Sequence, residues 1–195
     1  MPNRPRPLAV AAAIMVLAAG ARTAGADPNP TLTVRVRDEA HLPARTVDDA
    51  LMIAGGVYRR AGVSLQWIAR SEGDSTRRDL LIVIVPAAAD AAFRVPEDSM
   101  GIARRLDGTL GDVAYVFYDR VLDFGERGHV DAWIVLGCAI AHELGHLLLP
   151  VNSHAPDGIM RANWDPKLIS RAGGFLSFSP DQARLLRLRV ANRQP

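Results

Sequence analysis

Cysteine is almost absent from this sequence. The 195 residues include one, Cys138, so no disulfide can form within the chain. Cys138 lies in an apolar run and is expected to be a small, buried hydrophobic residue. The length is sufficient for one domain with a hydrophobic core, and a hydrophobic fraction of 49% argues against disorder.

The N-terminus has the features of a secretory signal peptide. Arg4 and Arg6 precede a short apolar run at 8–19, and small residues lead to a cleavage point after Ala26. The apolar run is too short to span a bilayer comfortably, although an uncleaved anchor is the alternative. We therefore expect a signal peptide at 1–26, export to the periplasm or the medium, and no membrane span after the leader is removed.

Neither sign of charge dominates once this leader is set aside. The remaining chain has 20 basic and 21 acidic residues, because the leader contains three arginines and no acid. This balance gives no case for nucleic-acid binding, which typically needs a basic face. No internal repeat or second domain is evident, so residues 27–195 are expected to form one domain.

Alternating or continuous apolar residues predict a largely soluble α/β fold with at least one crossover. The continuous apolar run at 80–86 is typical of a buried central strand. The predicted strands cover residues 31–38, 63–70, 80–86, 101–103 and 113–118.

Three helices are predicted. The first covers 47–60, with Thr46 as its N-cap and Gly62 after its end. The second, at 132–149, is apolar on all sides and therefore buried. The third begins at Pro180, with Ser179 and Gln182 as a capping box.

The buried helix contains the motif His-Glu-x-x-His at residues 142–146. Histidines four residues apart lie on one face of a helix, so His142 and His146 can bind the same metal ion. Glu143 is placed to accept a proton from an attacking water. One alternative is two core histidines with an unrelated glutamate, but three buried polar groups would then need other partners. A membrane-embedded peptidase is a second, less favoured alternative.

A catalytic zinc ion usually has three protein ligands. One class of zinc peptidases takes the third from a glutamate on a later helix, but no glutamate occurs after Glu143. The later candidates are His154 and the acids Asp157, Asp165 and Asp181, whereas Asn152 is a poor zinc ligand. Pro150 ends the helix, and an asparagine at 152 tolerates the left-handed backbone of a wide turn before His154.

The segment HELGHLLLPVNSHAPDGIM resembles the active-site region of the metzincins, which include matrix-metalloprotease-like and archaemetzincin-like peptidases. Their pattern is His-Glu-x-x-His-x-x-Gly-x-x-His, followed by a turn with a methionine. Here Leu149 stands in place of the glycine and Asn152 in place of the third histidine, and His154 comes two residues later. The segment is also similar to predicted secreted bacterial metallopeptidases, and the resemblance is specific over 113–164.

The resemblance implies a zincin-like single domain with a twisted mixed sheet, a crossover helix, a buried active-site helix, a Met-turn and a C-terminal helix. It implies one catalytic Zn²⁺ held by His142, His146 and His154, with Met160 packed beneath the histidines. Some secreted bacterial relatives use an aspartate as the third ligand, so Asp157 stays open.

In metzincins an edge strand before the active helix pairs with extended substrate, which implies this role for the strand at 113–118. Tyr115 and Tyr118 would then line the cleft or stabilise an oxyanion, with plain packing as the alternative. Trp164 is expected either as a pocket wall or in the core. Arg161 and Asp165 are candidates for contacts that orient the metal-binding histidines.

The function expected from the motif and the resemblance is that of a secreted zinc-dependent endopeptidase acting on protein or peptide substrates, with Glu143 as general base. The alternative is a non-catalytic, zinc-stabilised binding protein. A structural zinc site is closed and needs no carboxylate beside it, so Glu143 favours the enzyme. Nothing in the sequence predicts the oligomeric state.

Overall fold

The structure is a computed structural model that describes residues 29–69, 80–86, 93, 95–96, 98–105, 112–172 and 176–193. The predicted signal peptide lies outside these residues. The described strands are β1 (Thr31–Asp38), β2 (Ser64–Ala69), β3 (Leu80–Val85), β4 (Gly101–Arg104) and β5 (Val113–Phe117). The described helices are α1 (Ala44–Arg60), α2 (Tyr118–Gly128), α3 (Ala132–Leu148), α4 (Pro166–Ala172) and α5 (Pro180–Ala191).

The five strands form one mixed sheet in the order β2-β1-β3-β5-β4. The strands β2, β1, β3 and β5 run parallel to one another, whereas β4 runs antiparallel to β5. The predicted central strand is confirmed as β3, in which Ile82 and Ile84 join the core cluster shared with the helices. Val83 and Val85 face the other side of the sheet, in a smaller apolar cluster. Burial on both faces explains why this strand is apolar without interruption.

The predicted strand at 113–118 does not lie where we expected it in the sheet. The edge of the sheet on this side is β4, and β5 lies between β3 and β4. The expectation that the strand at 113–118 is the substrate-pairing edge is therefore corrected, because both of its sides are already paired within the sheet.

Helix α3 lies between the sheet and the other helices, and all but its first turn and His146 are buried. It is crossed closely by α1: a Cβ on Gly137 would lie 2.5 Å from the carbonyl oxygen of Ala50. The hydroxyl of Tyr58 on α1 donates to the carbonyl of Ala141 on α3, at 3.3 Å. This packing fixes the helix that carries the His-Glu-x-x-His motif.

The ends of the helices differ in part from the prediction. Helix α1 begins at Ala44 with Pro43 as N-cap, so Thr46 lies inside the first turn, where its N–H donates to the Pro43 carbonyl. Gly62 follows the helix with a positive φ of 77°, as expected for a residue after a helix end. The capping box of α5 is confirmed, with Ser179 Oγ accepting from the Gln182 N–H.

Two described helices, α2 and α4, were not predicted. Helix α2 starts at Tyr118, directly after β5, without a side-chain cap. The strand pattern therefore continues into the helix without a turn signal. No helix among the described residues combines the length and apolar character needed to cross a membrane.

We predict that Ser179→Ala lowers the free energy of unfolding by about 1 kcal/mol, because it removes the N-cap acceptor of α5. Thr46→Ala is the matched control, since Thr46 makes no cap hydrogen bond in α1. Urea denaturation of both variants measures the difference, and equal midpoints for the two would contradict the assignment of the caps.

Candidate metal centre

Helix α3 brings two histidine rings together one turn apart. Nε2 of His142 lies 3.0 Å from Nε2 of His146, and the ring centroids are separated by 4.7 Å. His142 is 9% exposed, so its ring is held by the surrounding core. The spacing of four residues along the helix thus gives the convergence that the sequence predicts.

The chain leaves α3 at Pro150 and returns to the two histidines at His154. Asn152 has a positive φ of 63°, so the turn uses the left-handed backbone expected of an asparagine. His154 Nε2 lies 3.1 Å from His146 Nε2. The three histidines offer ligand atoms that all lie within 4.8 Å of one another. Asp157 is exposed and is not part of this group of the described residues.

The hydrogen bond made by His142 determines which nitrogen is free. Its Nδ1 lies 2.8 Å from the Ile159 carbonyl oxygen. A carbonyl only accepts, so Nδ1 carries the proton and Nε2 has a lone pair directed at the other histidines. Burial lowers the pKa of His142 to about 4, against the opposing effect of the Ile159 hydrogen bond and with a smaller contribution from His154. Burial, followed by the charges of His142, His154 and Arg105, lowers the pKa of His146 to about 3. Both rings are therefore neutral at pH 7, as metal ligands must be.

This donor set fits a divalent transition metal. Ligands at about 2.0–2.1 Å in a tetrahedral arrangement lie about 3.3 Å from one another, close to the Nε2 separations here. Three imidazole nitrogens suit zinc, copper, iron or nickel, and three protein ligands leave a position open. With a cation between them, the three Nε2 atoms could all direct lone pairs at one ion.

Met160 lies beneath α3, the helix that carries His142 and His146, and is fully buried. A Cβ on Gly145 would lie 2.5 Å from the Met160 sulfur, so Gly145 leaves the space that Met160 fills. The preceding Gly158 has a φ of 79° and lies against the Ser177 carbonyl. Gly145 and the turn at Gly158 thus allow Met160 to pack under the helix, as the resemblance implies for a Met-turn.

Glu143 is 6% exposed, and its carboxyl group has no hydrogen-bond or ion-pair partner within the described part of the chain. It opens into the cavity beside the histidines. Burial raises the pKa of Glu143 to about 8, and a neighbouring cation would favour the carboxylate instead. Gly101 on β4 lies directly over it, because a Cβ there would be 2.6 Å from Glu143 Cγ. A side chain at this position of β4 would displace the glutamate.

The cavity in front of the histidines has a volume of about 780 Å³. Its described lining includes β4, the three histidines and Glu143, but neither Tyr115 nor Tyr118. Tyr115 points to the other face of the sheet, where its ring lies 4.5 Å from that of Phe93. Tyr118 begins α2 and packs against the main core. The positions of both tyrosines correspond to the packing alternative.

Trp164 forms a wall of the cavity and contacts His142, one of the three convergent histidines. Its ring lies 5.4 Å from that of His142 at 90°, and its Nε1–H donates to the Ile159 carbonyl at 3.3 Å. Arg161 lines the cavity. Asp165 accepts from the N–H of Lys167 at the start of α4, and it forms no ion pair or hydrogen bond with a histidine among the described residues.

Further residues orient the histidines and were not predicted from the sequence. Ser153 Oγ lies 3.2 Å from Nδ1 of His146, and the Gln182 side chain donates to the Ser153 carbonyl at 2.9 Å. The Ile159 N–H donates to the Ser177 carbonyl at 2.9 Å. The segment that leads into α5 therefore holds both sides of the metal-binding turn. These contacts join residues that are distant in sequence, so no local pattern indicates them.

No protein-family model matches the chain, and a search of curated proteins finds no match either.

We predict that Ser153→Ala weakens metal binding by about tenfold, because His146 loses the partner that orients its ring. Ser177→Ala is the control, since Ser177 contributes its main-chain carbonyl and its side chain is exposed. Competition against a chromophoric chelator measures both dissociation constants. An unchanged constant for Ser153→Ala would show that the hydroxyl has no part in orienting His146.

Proposed function

We propose that this chain is a zinc-dependent peptidase of the metzincin type that hydrolyses peptide bonds in protein or peptide substrates. The observation that carries the proposal is Glu143, a buried carboxyl group that opens towards the cavity directly beside three convergent histidines. Burial of a carboxyl group without a hydrogen-bond partner costs free energy, which a bound cation or water would offset.

The three histidines are the residues that would hold the ion. When bound, zinc supplies Lewis-acid chemistry: it polarises a carbonyl and makes a water more acidic. The protonated Nδ1 of His142, held by the Ile159 carbonyl, keeps Nε2 available as a ligand. Ser153 and the turn through Asn152 hold His146 and His154 in place.

Glu143 acts as the general base. Its carboxylate accepts the proton of the water that attacks the scissile carbonyl, and the same proton then passes to the leaving amine. This role requires a base that faces the cavity and is not already bonded within the protein. Within the described residues, Glu143 has both properties.

Strand β4 offers a place for the substrate backbone. It is the edge of the sheet, it pairs with β5 on one side, and Gly101, Ile102 and Ala103 line the cavity. An extended peptide that adds to such an edge gains main-chain hydrogen bonds without a demand for one sequence. Gly101 keeps this strand close to Glu143, so a bound peptide would lie alongside the proposed base.

The competing function is that of a non-catalytic binding protein stabilised by zinc. A structural zinc site has four protein ligands. The described residues provide three for this group, and all three line the cavity, where a water or a substrate could reach a bound ion. This arrangement favours the enzyme. Export through the leader at 1–26 is part of the same proposal.

We predict that Glu143→Ala abolishes peptide hydrolysis while the variant still binds one zinc ion per chain. The side chain supplies the general base and not a metal ligand, so the two properties separate. Cleavage of a casein substrate and elemental analysis of the same preparation measure them together. His142→Ala is the contrasting variant and is expected to lose both.

Hydrolysis at the wild-type rate by Glu143→Ala would exclude its role as base. Absence of hydrolysis by the zinc-loaded wild-type chain, on casein and on peptide mixtures, would favour the binding protein.

A further inference from the structure

Two arginines line the cavity and have no side-chain partner among the residues that the structure describes. Arg127 lies in the last turn of α2, and Arg161 directly follows the buried Met160. Both contribute to the wall of the cavity. Neither guanidinium forms a hydrogen bond or an ion pair within the described residues. Arg105, which also lines the cavity, differs because its guanidinium donates to the His146 and Leu149 carbonyls at the end of α3.

The same region of the cavity contains an aromatic pair. The rings of Phe124 and Trp164 are 6.5 Å apart and meet edge to face. Arg127 is three residues after Phe124 on α2, which places the two on neighbouring positions of one helix face. Arg161 is three residues before Trp164 in the turn that follows Met160.

Trp164 connects this aromatic pair with the proposed metal centre. Its ring lies against that of His142, at 5.4 Å between centroids, and edge to face with that of Phe124. The cavity lining thus combines apolar rings beside the histidines with the two guanidinium groups. Such a lining suits a ligand with a short aliphatic stem and an anionic end.

The charge of the described lining has the matching sign. Three arginines contribute to it, against Asp98 and Glu143 as the acids. Asp98 precedes β4 in the chain, and Glu143 is the proposed base. A carboxylate is the group that an arginine fork binds with two hydrogen bonds, whereas a lysine or arginine side chain would be repelled.

We infer that Arg127 and Arg161 form the mouth of an aromatic-walled subsite that binds an acidic side chain of the substrate, close to the scissile bond. The inference rests on the proposed peptidase function, since it names the substrate class for that site. It makes the protein selective for peptides with glutamate or aspartate at one fixed position. A glutamine peptide has the same shape but lacks the charge, and is expected to bind at least tenfold more weakly.

The test uses two pools of hexapeptides that are random except for one central position, which is glutamate in one pool and glutamine in the other. Binding is measured by fluorescence anisotropy to the full, zinc-loaded chain carrying Glu143→Ala, so that no peptide is consumed. The wild-type arginines are compared with the double variant Arg127→Gln and Arg161→Gln. Arg184→Gln on α5 is the charge-matched control, because Arg184 is exposed and is not in the described lining.

The inference predicts at least tenfold tighter binding of the glutamate pool, a preference that disappears in the double variant and persists in Arg184→Gln. Equal binding of both pools would overturn it. A preference that survives in the double variant would also overturn it, because the carboxylate would then be bound by the zinc ion or another group.

Cleavage by the chain with Glu143 intact separates this inference from the proposed function. Cleavage of both pools at equal rates would reject the acidic subsite and leave the peptidase standing. Arginine-dependent binding of the glutamate pool without any cleavage would support the subsite and reject the peptidase.

Discussion

The structure depends on a helix that buries two polar side chains and holds a third at the edge of the cavity. Most of α3 is apolar and enclosed, yet His142 and Glu143 are buried on it and His146 is half-buried. Neutral histidines and an unpartnered carboxyl group are costly to bury. A shared cation, with His154 supplied by the following turn, accounts for all of these groups at once. The close contacts of Gly137 with α1 and of Gly145 with Met160 hold this helix in one position.

Support for the site comes from a segment far along the chain. Residues 177–182 accept the Ile159 N–H, cap α5 and donate to the Ser153 carbonyl. Ile159 in turn accepts from His142, and Ser153 contacts His146. The start of the C-terminal helix thus fixes both histidines of α3 through their outer nitrogens. Such indirect contacts set the orientation and tautomer of a ligand, so the terminal helix is part of the site and not a separate cover.

The sequence predicted the parts of this arrangement that depend on local spacing. The four-residue interval of His142 and His146, the left-handed Asn152 and the capping box of α5 all follow from short-range geometry. The central position of β3 follows from its uninterrupted apolar run. The order of the strands in the sheet was not predictable in the same way. The residue patterns of β4 and β5 do not indicate which of the two strands lies at the edge.

Contacts across the fold account for the remaining differences. In the sequence, Gly101 is an ordinary strand glycine, and its role follows only from the position of β4 above Glu143. No sequence motif indicates the contact between Ser153 and Gln182. Helix α2 was missed because it begins where β5 ends, with no cap or turn between them. Tyr115 follows the alternation of side chains along β5, but its ring faces Phe93, on the side of the sheet away from the cavity. Sequence order alone does not say which face meets the cavity.

The central claim is that His142, His146 and His154 together hold one zinc ion. The most direct measurement is the zinc content per chain, by elemental mass spectrometry, of the wild type, His154→Ala and Asp157→Ala after dialysis against a weak chelator. The account predicts about one zinc per chain in the wild type and in Asp157→Ala, and marked loss in His154→Ala. Retention of zinc by His154→Ala with loss in Asp157→Ala would move the third ligand to the aspartate and contradict the three-histidine centre. Absence of zinc from the wild type would contradict the account as a whole.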